Sequence, residues 1–155
     1  MKDREIMTNE VISVVDEATV EDAARLLARN RISGLPVVSA DGLLVGLITE
    51  HDLIAKAGRH VSDIMSRGVI TVSPDTEVEQ VQSLLTNQRI RRVPVVENGR
   101  VVGIVSRSDL VRQIAMRWVC GVCGASERGL DPPVACPSCG ASASAFVHAV
   151  VHPGM

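Results

Sequence analysis

The feature that most constrains this chain is an internal duplication. Residues 6–54 and 64–111 read as two copies of one unit, opening with IMTNEVISV and IMSRGVITV. In the first, Val20, Ala23, Ala24 and Leu27 fall at i, i+3, i+4 and i+7. Val78, Val81 and Leu85 repeat that apolar helix face at the matching place of the second. Thr19 with Asp22, and Thr76 with Glu79, have the spacing of capping boxes for these helices. The β-branched runs RISGLPVV and RIRRVPVV then predict strands. Asp41-Gly42 and Asn98-Gly99 predict hairpin turns in which both central residues reach positive φ. The strands return as LLVGLIT and VVGIVS, and second helices follow around HDLIAKA and SDLVRQIA, the first stopped by Gly58. The unit is β-α-β-β-α, twice. A single copy is short for an independent domain. Alone it buries too little surface for comfortable stability, so the two are expected to pack as a pseudo-two-fold pair.

Composition narrows the function. The 155 residues are 46% hydrophobic, with one Trp, one Phe and no Tyr, so the core must be aliphatic and base stacking is not available. A net charge of −2 gives no general attraction to nucleic acid or anionic membrane. The opening MKDREIMTNE lacks the apolar stretch of a signal peptide, and no run of apolar residues is long enough for a membrane span. All four cysteines lie between residues 120 and 139. That clustering favours a cytoplasmic protein with a metal site over a disulfide-bonded one.

Each copy ends in a glycine-led turn, a hydroxyl and, one helical turn on, a carboxylate: GLITEHD, with Thr49 and Asp52, and GIVSRSD, with Ser106 and Asp109. Such a pair can close a capping box. It also places a hydroxyl where it can donate to phosphate, and a carboxylate that can accept from both hydroxyls of a ribose. The second copy has Arg91, Arg92 and Arg107 near its motif, and guanidinium forks match phosphate oxygens. Ser33, Gly34, Glu50 and His51 stand in the corresponding places of the first. On chain position, the Asp109 site is expected to prefer more phosphates than the Asp52 site, with the alternative that Arg31 or the second-copy arginines contact phosphate from across the module and serve either cleft.

The Ile-Met opening, the x-x-Pro-Val-Val strand and the G-h-x-[ST]-x-x-D ending, all present twice, resemble the cystathionine-β-synthase (CBS) domain pair over about residues 3–116. The resemblance implies an α+β fold, with repeats at 1–59 and 60–116, and adenosine nucleotides bound in clefts with Asp52 and Asp109 on ribose. It further implies base pockets lined by backbone around Ile12-Ser13, Ile70-Thr71, Leu35-Pro36 and Val93-Pro94. Through the second helices, with Leu53, Ile54, Leu110, Val111 and Ile114, it implies a homodimer. AMP, ADP, ATP, S-adenosylmethionine and a dinucleotide such as NAD all present an adenosine end.

After the second copy, Cys120-x-x-Cys123 and Cys136-x-x-Cys139 give four thiolates in two knuckles, the pattern of a tetrahedral metal site. Gly124 and Gly140 let the backbone turn its N–H groups toward sulfur. With little apolar core of its own, the segment would draw folding free energy from metal. Trp-x-Cys-x-x-Cys-Gly and Cys-Pro-Ser-Cys-Gly, with Pro132-Pro133 before the second pair, resemble a rubredoxin-like zinc ribbon of the rubrerythrin type, at 117–155. The metal is then zinc, structural, or iron, which carries one electron. Ala125 stands where rubredoxins usually have an aromatic, which weakens the electron-transfer alternative. His148 and His152 receive no role, since four cysteines fill the site. The ribbon's few cations, chiefly Arg117 and Arg128, face Glu127 and Asp131, which argues against the alternative of nucleic-acid binding. No catalytic constellation is visible, and the expectation is a regulatory nucleotide sensor, not an enzyme, acting on a protein target that the residues do not name.

Overall fold

The computed structural model describes residues 2–149, apart from the side chain of Ile114. The chain divides into two compact units, 1–106 and 107–155. The first contains β1 (Val14–Val15), α1 (Val20–Asn30), β2 (Gly34–Val38), β3 (Leu44–Thr49), α2 (Glu50–Ala55), α3 (Val61–Ile64), α4 (Val78–Asn87), β4 (Arg92–Glu97) and β5 (Arg100–Ser106). The second contains α5 (Arg107–Ala115), β6 (Arg117–Cys120), β7 (Ser126–Arg128) and β8 (Phe146–His148). The last helix of the second repeat thus groups with the cysteine-rich unit, ahead of the expected boundary at residue 117.

The duplication holds in the backbone. β2 pairs antiparallel with β3 and β4 with β5, and the registers shift at equivalent places, Val37/Val38 and Val95/Val96. Arg31 and Arg89, each just after the first helix of its copy, both adopt φ of 53°. The copies differ at their first strand. β1 pairs parallel with β2, whereas its counterpart is reduced to a single parallel bridge between Val72 and Val95.

The two copies exchange their opening segments. The opening segment of the second copy bridges β3 of the first, Ser66 to Leu47, and the opening segment of the first bridges β5 of the second, Thr8 to Ile104. Val61, Ile64 and Met65 therefore sit in one buried cluster with Val14, Ala23, Leu27, Leu35, Val37 and Ile48. Burying them stabilises one copy with side chains of the other, which is why neither repeat is a self-contained body.

Three local expectations are corrected. Thr19 caps α1 with Asp22 as predicted, but the equivalent position before α4 is Glu77. Thr76 accepts instead from the Ser73 N–H at 3.0 Å, so the Thr76–Glu79 box does not form. The Asn98-Gly99 turn has two positive φ values, but in the longer first hairpin only Gly42 does. α2 ends at Ala55, before Gly58, with Lys56 already extended.

In the second unit β6 is central, between β7 and β8. Trp118 donates through Nε1 to the Gly129 carbonyl at 3.0 Å, and its ring lies 3.8 Å from that of His148. His148 is therefore a packing residue; His152 lies outside the described residues.

Candidate nucleotide cavity and four-cysteine metal centre

The exchange of segments builds a cavity at the end of β3. About 680 Å³ in volume, it is lined on one side by Leu47, Thr49, Glu50, His51 and Ile54, and on the other by residues 66–70. Ser33 and Ile90, Arg91 and Arg92 complete it. The size suits a drug-sized or nucleotide ligand. Grouping by chain position had put Arg91 and Arg92 with the second motif; the fold brings them, with Arg67, to the first. The Arg92 guanidinium donates to Ser33 Oγ and fills the space where a side chain on Gly34 would stand. Burial lowers the Arg92 pKa, the neighbouring Arg91 lowers it further, and Glu50 raises it. Three guanidinium groups against the single carboxylate of Glu50 leave the wall positive, and a partly desolvated cation attracts anions more strongly than one in bulk water.

Asp52 is buried and does not itself line the cavity. Its Oδ2 accepts from the Thr49 N–H at 2.9 Å and the Thr49 hydroxyl at 3.1 Å, and Lys56 Nζ lies 2.8 Å from Oδ1. The capping box is formed, with an ion pair added. Burial raises the Asp52 pKa, but the hydrogen bonds from Lys56 and Thr49 outweigh it and hold the carboxyl below its ordinary value. In the other copy Asp109 is likewise buried, with Arg112 Nη1 at 3.7 Å. Ser106 ends β5 in the first unit, while Arg107 and Asp109 begin α5 in the second.

The expected base-pocket residues divide. Ile70 lines the cavity, but Thr71 faces a separate groove of about 720 Å³ along α4, with Ser73, Gln80 and Asn87. Ile12 is half-buried and Ser13 exposed. Leu35, Pro36, Val93 and Pro94 are fully buried core residues and line neither space. Arg67, Val69 and Ile90 were missed. The signal was available, since 66–70 repeats 8–12, but only the segment exchange reveals which cleft they enter.

The four cysteine sulfurs lie within 4.8 Å of one another, with Cys120–Cys139 at 3.7 Å and Cys123–Cys136 at 3.6 Å. A tetrahedron with metal–sulfur bonds of about 2.3 Å has edges of about 3.8 Å, so the donor set fits. Gly124 and Gly140 take φ of 79° and 77°, and their N–H groups bond the Cys120 and Cys136 carbonyls at 2.8 Å. The next N–H groups, of Ala125 and Ala141, point at the sulfurs of Cys123 and Cys139. N–H groups of Cys123 and Val122 lower the Cys120 thiol to about 7, and those of Cys139 and Ser138 lower Cys136. Four thiolates this close repel one another unless a cation sits between them.

A CBS-domain family model matches residues 4–58 and 61–116. This chain belongs to the CBS domain family. A rubrerythrin rubredoxin-like domain follows at 118–147. The CBS pair is 32% identical to the CBS domain-containing protein YhcV of Bacillus subtilis over 69% of this chain and 81% of that protein. It is 35% identical to the inosine-5'-monophosphate dehydrogenase of Thermoplasma acidophilum over 71% of this chain, but spans only 23% of that enzyme. Among solved structures, CBSX2 in complex with AMP is 30% identical, with a TM-score of 0.68 over 72% of this chain and 93% of CBSX2. The CBS domain pair of MJ0100, in complex with 5'-methylthioadenosine and S-adenosyl-L-methionine, is 34% identical, with a TM-score of 0.68 over 72% of this chain and 94% of that one. Among the described residues no helix is long and apolar enough to cross a membrane.

Proposed function

We propose that the chain is a regulatory sensor of adenine nucleotides and has no catalytic activity of its own. The observation that carries this is the cavity in which Arg67, Arg91 and Arg92 meet Thr49, the hydroxyl of the Thr49–Asp52 motif. Thr49 and the arginines hold phosphate there, Asp52 accepts from ribose, and Ile70 borders the base. The AMP complex of CBSX2 and the methylthioadenosine and S-adenosylmethionine complexes of MJ0100 support an adenosine end. With Arg67, Arg91 and Arg92 lining it, the cleft at Asp52 prefers AMP, ADP or ATP over cationic S-adenosylmethionine. Thermal-shift and calorimetric titration with AMP, ADP, ATP, S-adenosylmethionine and NAD tests the reading. A ligand that prefers the folded state raises its melting temperature, and a flat response to all five refutes it.

The cysteine centre holds zinc as a structural ion. Ala125 stands where rubredoxins usually have an aromatic and packs on the cysteines together with Trp118 and Phe146, so the aromatic shielding of an electron carrier is reduced. Protein purified anaerobically should be colourless with one equivalent of zinc; a red iron–thiolate spectrum would establish the electron-transfer alternative instead.

A further inference from the structure

Asp3 is fully buried, and neither of its carboxylate oxygens has a hydrogen-bond partner. The duplication shows what the position is for. The Asp3 N–H bonds the Thr76 carbonyl at 2.9 Å and the Arg4 N–H bonds that of Pro74 at 3.2 Å. In the other copy the Val61 N–H bonds Ala18 at 2.9 Å and the Ser62 N–H bonds Asp16 at 3.1 Å, the same pattern at the equivalent places. Asp3 therefore stands where its counterpart is Val61, a fully buried member of an aliphatic cluster. A carboxylate at a valine site is costly unless it is neutral.

The charged groups nearby do not relieve it. On its own segment Lys2 pairs with Glu77 and Arg4 with Asp75, and Glu5 accepts from the Lys2 N–H at 2.6 Å. From the turn ahead of α4, Asp75 and Glu77 face the segment, both acidic and both committed to those cations. The docked segment runs on through Met7, whose N–H bonds the Asp3 carbonyl at 2.8 Å, to Thr8, whose N–H bonds Ile104 at 2.9 Å.

We infer that Asp3 makes residues 2–8 a proton-dependent strap, docked on the turn before α4 when the carboxyl carries a proton and loosened when it is ionised. Burial, reinforced by the charge of Glu77, raises the docked carboxyl from 3.8 to about 7. Below pH 4 both forms of the strap carry the proton and docking is strongest. Between about pH 4 and 7 only the docked form keeps it, so docking weakens about tenfold per pH unit, and above that range the loss is complete.

Hydrogen exchange on the full chain between pH 5 and 7 tests this, read as protection factors at the amides of Asp3, Met7 and Thr8. In the unaltered protein protection should fall at least tenfold across the range. In Asp3→Val, which restores the side chain of the other copy, it should be flat and higher at pH 7; Asp3→Asn should also be flat. The carboxyl carbon of Asp3 should titrate well above the ordinary aspartate range. A shared pH course in the unaltered protein and Asp3→Val, or an Asp3 midpoint near 4, overturns the inference.

Discussion

Asp52 joins two roles in one carboxylate. Its bonds to Thr49 and Lys56 stabilise the start of α2. Because these hold its pKa below the ordinary value, their contribution is complete above about pH 4 and is lost as the pH falls through the lowered value. Asp52→Ala should cost about 1–2 kcal/mol of stability in urea unfolding. If the same carboxylate accepts from ribose, AMP affinity should fall by about 1.5–3 kcal/mol, roughly tenfold to a hundredfold. Unchanged affinity in calorimetry would leave the motif a helix cap only. Gly34 is a second single-residue test, because its missing side chain makes room for the Arg92 guanidinium. Gly34→Ala should destabilise by about 1–3 kcal/mol, as overpacking does. Arg92→Ala combined with it should recover most of that loss, and a double-mutant cycle in urea showing simple additivity would contradict the contact.

At the scale of elements, the ends of helices and the metal knuckles decide stability. Arg89 is exposed and left-handed after α4. Glycine adopts that conformation without a Cβ clash, so Arg89→Gly should stabilise by about 0.5–1 kcal/mol. A lower urea midpoint would show that the Arg89 side chain has a role the fold does not display. Among the described residues the ribbon's buried cluster consists of Cys120, Cys136 and Phe146, too little to hold β6–β8 without metal. Cys120→Ser, Cys136→Ser or chelation should expose residues 118–148 to protease, while residues 3–106 stay resistant and keep nucleotide binding. Digestion of both units together on chelation would mean that they are not independent.

For the whole molecule, the apolar faces of the second helices are incompletely covered. Ile54 on α2 is 86% exposed and Val111 on α5 is 63% exposed. We expect a homodimer in solution through these helices, disrupted by Ile54→Lys. Light scattering that gives a monomer mass across micromolar concentrations would refute it.

The sequence by itself determined the repeat, its helix faces and hairpins, and the metal ligands. These rest on local spacing: helical periodicity, Asn-Gly turns and paired cysteines each impose their geometry within a short stretch of chain. It did not determine which side chains share a cleft. Arg91 and Arg92 lie beside the second motif in the chain but beside Thr49 in space, because each copy lends its opening segment to the other's sheet. Asp3 looked like part of a charged terminus, and only the backbone register of the two copies put it at the place of Val61. Exchange between repeats is a long-range choice made by burying apolar area, and apolar area has no address in the sequence until the partners are packed.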